Sequence, residues 1–156
     1  MRKLEFEATE ENILNIISRV KELELEDGLS EEEIRKKYMN EDSGALALLI
    51  KTFLPDSCMS LFSDGEYDYY CISIKGDITK DSNLNSNSPQ SRYYFNITGR
   101  HYYYDLINDI NNSLGLEDNY MTLVGDNMMG TAEDNSTTLR IKKEILSSMN
   151  IKNIKM

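Results

Sequence analysis

The sequence predicts an α+β protein in which an antiparallel sheet of about four to five strands carries helices mainly on one face. Three observations lead there. Apolar residues recur at helical spacing through the first third of the chain, as at Ile13, Ile17 and Val20. β-prone runs with alternating side chains fill the middle, two of them joined across Asp64-Gly65. An amphipathic helical pattern then returns near the C-terminus.

In chain order, Leu4, Phe6 and Ala8 alternate with Glu5 and Glu7, the pattern of a short strand. Thr9 can cap a helix beginning at Glu10, whose stripe is Ile13, Ile16, Ile17, Val20 and Leu23, and Asp27-Gly28 ends it. Ser30 and Glu33 form a capping box, with Leu29 and Ile34 at the positions of a hydrophobic staple. That second helix is expected to reach about Asn40. A third, from Gly44 to Leu54, is apolar nearly all round and stops at Pro55, so it is expected to be the most buried element.

Cys58 to Phe62 and Tyr67 to Lys75 read as a hairpin through Ser63-Asp64-Gly65-Glu66. Asp77 to Gln90 is a polar loop. Arg92 to Thr98 is the next strand, and Gly99 is expected to turn the chain into a helix from about His101 to Leu114, closed by Gly115. The inner stripe of that helix is Tyr103, Leu106 or Ile107, Ile110 and Leu114. Tyr120 to Val124 is one more strand, Gly125 to Thr138 a polar loop, and Leu139, Ile141, Ile145, Leu146 and Met149 mark a last helix. The organisation is a single domain over 1–156: a helical part at about 1–55, a β-rich middle at 56–125 and a C-terminal helix at about 138–150.

Charge narrows the function classes. The chain holds 27 acids against 17 bases, a net charge of −10. Residues 56–134 carry 13 acids and 4 bases, whereas 139–156 carry 5 bases and 1 acid. Such a field repels nucleic acid and anionic membrane surfaces and attracts basic proteins. No apolar leader opens the sequence, and the longest apolar run, Ala45 to Ile50, falls far short of a membrane helix. A cytoplasmic protein is therefore expected, with Cys58 and Cys71 as thiols.

Motifs for metals and cofactors fail on inspection. Asp81 to Asn87 spaces oxygens like the opening of a calcium loop, but Ser86 stands where glycine belongs and Arg92 where a bidentate glutamate belongs. His101 is the single histidine, so a two-histidine zinc motif is impossible. Gly125 to Gly130 lacks the lysine of a phosphate loop and places Asp126 where a phosphate would sit. The expectation is no cofactor and no metal.

One constellation is left. Tyr70, Ile72 and Ile74 share a face of their strand with Tyr93, Phe95 and Ile97 of the next, which puts Tyr67, Tyr69 and Tyr94 on the opposite face. If the aliphatic face packs on the helices, those tyrosines form a surface flanked by Asp64, Glu66 and Asp68, with Tyr102 and Tyr104 just beyond. Tyrosine is favoured at interface hot spots, and carboxylates around it steer basic partners. The expected function is an acidic, non-enzymatic inhibitor of a basic protein, such as an immunity protein or an inhibitor of a nucleic-acid-handling enzyme from a toxin or phage-defence system. Its expected contact residues are Asp64, Glu66, Tyr67, Asp68, Tyr69 and Tyr94. The alternative is a small enzyme or ligand-binding domain with a site near His101, Asp105 and Cys71 under the 77–90 and 125–138 loops.

Overall fold

The computed structural model describes residues 7–76, 91–115, 122–126 and 132–154. The sequence-predicted loop at 77–90, the calcium-like segment within it, residues 127–131 of the 125–138 loop and the strand positions Leu4 and Phe6 lie outside the described residues. Ala8, the third position of that strand, precedes the first helix and is not in a strand.

The chain forms an α+β fold. Helices α1 (Glu10–Glu26), α2 (Glu31–Tyr38) and α3 (Ser43–Phe53) come first. Strands β1 (Cys58–Ser63), β2 (Asp68–Lys75), β3 (Arg92–Asn96) and β4 (Gly99–His101) follow, then α4 (Tyr103–Leu114), β5 (Thr122–Asp126) and α5 (Ser136–Ile154). The strands join in the order β4-β3-β2-β1-β5, and every neighbouring pair is antiparallel.

Local signals set the helix starts. Thr9 accepts from the Asn12 amide, and Ser30 and Glu33 exchange both bonds of the capping box, so these helices satisfy N–H groups that would otherwise lack acceptors. In α3, Ala45, Leu46, Ala47, Leu49, Ile50 and Phe53 are all buried, as its uniform apolarity demands. Leu54 ends the helix before Pro55, and Lys51 Nζ folds back to donate to the Pro55 and Ser57 carbonyls.

Strand register divides the sheet into two faces. Met59, Leu61, Tyr70, Ile72, Ile74, Tyr93 and Phe95 share one. There α3 packs along β2 so closely that a Cβ on Gly44 would stand 3.2 Å from the Tyr70 ring. Ser43 Oγ accepts from the Tyr70 amide at the same point. Helices α1, α2 and α5 pack with α3 into one layer. The opposite face carries Phe62, Tyr69, Cys71 and Tyr94, and α4 crosses it on the way from β4 at one edge to β5 at the other. Tyr103 of α4 rests 5.8 Å from the Phe62 ring and 5.9 Å from Tyr94.

This corrects the expected surface. Tyr69 is 1% exposed and Tyr94 0%, because α4 covers the face on which they stand. The Tyr69 hydroxyl meets Met39 Sδ at 3.1 Å, and burial pushes its phenol well above the ordinary value. A second correction concerns Gly99. With φ at 117° it closes a tight turn, and the chain runs back as β4 before α4 begins at Tyr103.

A buried carboxylate joins the helical layer. Glu24 of α1 lies 2.6 Å from Lys37 Nζ of α2, and Thr137 of α5 donates to its other oxygen at 2.8 Å. Burial pushes the Glu24 carboxyl up, but bonds from Lys37, Thr137 and Tyr38 outweigh it and hold the group below its ordinary value. Beside it, Asn135 donates to the Tyr38 hydroxyl and to Asp42, while its carbonyl oxygen caps α5 by accepting from the Thr138 amide.

Two outcomes are expected. Tyr69→Ala lowers unfolding free energy by about 3–5 kcal/mol in urea titration, whereas Tyr67→Ala changes it by less than about 0.5 kcal/mol. Because the Glu24 carboxyl is held low in the folded state, its contribution is complete above the ordinary carboxylate range and is lost as pH falls through the lowered value. Glu24→Gln therefore costs on the order of 1.5–3 kcal/mol at neutral pH, and the gap from the parent narrows in acid.

Candidate functional site

The first expected contact element is the β1–β2 turn. Gly65 adopts φ 96°, and the Asp64 amide donates to the Tyr67 carbonyl. Asp64 Oδ1 accepts from the Glu66 and Tyr67 amides at 2.8 and 2.7 Å, so this carboxylate shapes the turn. Glu66, Tyr67 and Asp68 remain exposed, Tyr67 at 39%. Of the six residues expected to meet a partner, these three present accessible side chains at the hairpin tip, Asp64 is engaged in the turn, and Tyr69 and Tyr94 are interior.

Among the described residues, the tyrosines that reach solvent most fully stand at the start of α4: Tyr102 at 50% and Tyr104 at 65% exposure. Tyr102 precedes the helix, and Tyr104 lies off its buried stripe of Leu106 and Ile110. The Arg100 guanidinium sits 4.8 Å over the Tyr93 ring and 5.6 Å over Tyr102, and it pairs with Glu10 at 3.2 Å. Tyr104 meets the Tyr103 ring edge-on at 5.2 Å, and Asp105 is exposed beside it. Helical spacing alone places Tyr104 and Asp105 outside the stripe, so this pair was recoverable from the sequence. The Arg100 stack was not, because it needs β4.

His101 occupies a polar knot between β3, β4 and α4. Its Nε2 lies 2.6 Å from Thr98 Oγ1, 3.1 Å from Asn96 Oδ1 and 3.6 Å from Asp109 Oδ2. Its Nδ1 lies 3.4 Å from Asp105 Oδ2. Asn96 Oδ1 also accepts the Thr98 amide, which fixes the orientation of that side-chain amide. Two acceptor-only oxygens therefore face Nε2, and the arrangement calls for a proton on it. Asp109 completes the knot: it accepts from the Asn96 side chain at 3.0 Å and from Arg35 of α2 at 3.1 Å. The knot closes the β3–β4 turn and ties it to α2 and α4. Cys71, the other residue of the enzymatic alternative, is buried.

Among the described residues, no group of three His, Cys, Asp or Glu side chains is arranged to hold a metal ion. No helix among them is long and apolar enough to cross a membrane. Comparison with protein-family models, with curated proteins and with solved structures finds no match to this chain.

Asp109→Ala is expected to cost on the order of 1.5–3 kcal/mol, because it strips the knot of its shared acceptor. Asp105→Ala, at an exposed pair, is expected to stay within about 1 kcal/mol of the parent. Urea titration of the two variants checks the contrast.

Proposed function

We propose that the protein is a non-enzymatic binding protein that occupies a basic surface on another protein. The observation that carries this reading is where the exposed tyrosines stand. Tyr67 lies between Glu66 and Asp68, and Tyr102 and Tyr104 lie beside Asp105, all within a chain of net charge −10. Large rings with polar tips supply contact area, and the surrounding carboxylates accelerate encounter with a cationic face.

The partner class that fits is an enzyme with a basic nucleic-acid cleft, in which carboxylates on a rigid hairpin and helix take the place of phosphates. An immunity protein against a toxin, or an inhibitor of a phage-defence nuclease, in a bacterial or phage cytoplasm acts in this way. Direct contact with nucleic acid is disfavoured by the same charge. Relative to the surface expected at first, the contact set becomes Glu66, Tyr67 and Asp68 with Tyr102, Tyr104 and Asp105. Asp64 is left out because its carboxylate builds the turn.

The test is affinity capture of a basic partner followed by association kinetics. The association rate is expected to fall steeply with added salt. Tyr104→Ala, or Glu66→Lys combined with Asp68→Lys, is expected to weaken binding at least about tenfold while urea titration shows an unchanged fold. Binding that is indifferent to salt and to these variants would overturn the reading.

A further inference from the structure

Arg100 is a cation beside the exposed aromatic surface, in a stretch of chain, 56–134, that carries 4 bases against 13 acids. On a surface that receives a basic partner such a charge costs attraction, so its geometry is informative. The guanidinium lies 4.8 Å over the Tyr93 ring and 5.6 Å over the Tyr102 ring, and the two rings meet edge-on at 5.9 Å. Glu10, in the first turn of α1, pairs with the same guanidinium at 3.2 Å. Arg100 thus links α1, β3 and the residue that precedes α4. Tyr102 itself is 50% exposed and makes no side-chain cap to the helix that follows it.

We infer that Arg100 is a positioning residue of the contact surface, holding the Tyr102 ring in one orientation before a partner arrives. This rests on the proposed reading of that surface as a site for basic proteins. The Glu10 carboxylate anchors the guanidinium and offsets its charge. The guanidinium plane stacks on a ring where a compact, strongly hydrated ammonium is drawn back to water. A cation–π contact at an exposed site favours one ring orientation by about two- to fivefold. A ring fixed in advance loses less freedom on binding, and the affinity gains by a similar factor. Arg100 then acts on a partner through Tyr102 and not through its own charge.

The probe is an amidated hexa-lysine peptide, titrated at constant ionic strength into the full ¹⁵N-labelled chain. Arg100→Ala removes a cation and frees Glu10, so charge alone predicts tighter binding. Positioning predicts the reverse, a loss of affinity of about two- to fivefold. Arg100→Lys keeps the charge without the planar stack and is expected to fall between Arg100→Ala and the parent, which keeps the test decisive if the alanine variant disturbs β4. In a Tyr102→Ala background, Arg100→Ala is expected to cause no further loss, because the ring through which it acts is gone. In the unbound chain, the Arg100 Nε–H resonance is expected to shift in Tyr102→Ala as the ring current is removed. Tighter or unchanged binding in Arg100→Ala overturns the inference. So does an equal loss in the Tyr102→Ala background, or an Arg100 signal indifferent to Tyr102. In each of these cases, hexa-lysine binding that still weakens when Glu66→Lys is combined with Asp68→Lys leaves the proposed function standing. Binding that does not saturate, or that ignores this double variant, overturns both.

Discussion

The ion pair of Glu24 with Lys37 is the contact on which the helical layer depends. Its carboxylate leaves water to sit among three helices, a position tolerable only beside an opposite charge and a hydrogen-bond donor. Lys37 brings in α2, Thr137 brings in α5, and Tyr38 closes the space between them. Asn135 extends the same network to Asp42 at the start of α3 while capping α5. A helix arriving with the wrong register would leave a buried charge without its partners, so the pair selects one packing of four helices as much as it stabilises it. The apolar contacts around Ile17, Val20, Leu49 and Ile50 supply the burial, and the polar contacts choose its geometry.

The position of α4 is the second constraint, and it shapes what the protein can offer a partner. By crossing the face that carries Tyr69 and Tyr94, it turns a potential contact surface into a core of edge-on rings among Phe62, Tyr94 and Tyr103. Among the described residues, the tyrosines left exposed stand at its own first turn and at the hairpin tip. Both elements are held in place, the hairpin tip by the Asp64 turn and the start of α4 by the His101 knot.

The legible parts of the fold are those whose cause is local. Ser30 and Glu33 are three residues apart and satisfy each other, so the start of α2 follows from sequence distance alone. Asp64-Gly65 dictates a turn between β1 and β2 for the same reason. β4 shows no signal in the sequence because three residues are too few to show alternation, and its cause is the bond that the Thr98 amide donates to the Asn96 side chain together with Gly99. Glu24 looked like any other acid in a segment rich in them. What singles it out is Thr137, more than a hundred positions away.

The acidity of the chain, its helix caps, the hairpin and the α+β class were determined by the sequence itself, through composition, period and spacing. Whether either sheet face stays open was decided by tertiary structure alone. Alternation assigns Tyr69 and Tyr94 to a common side, but whether that side meets water or a helix depends on where a distant amphipathic segment docks. Both faces of this sheet are apolar enough to bury, and α4 had a stripe to match the one that α3 left uncovered.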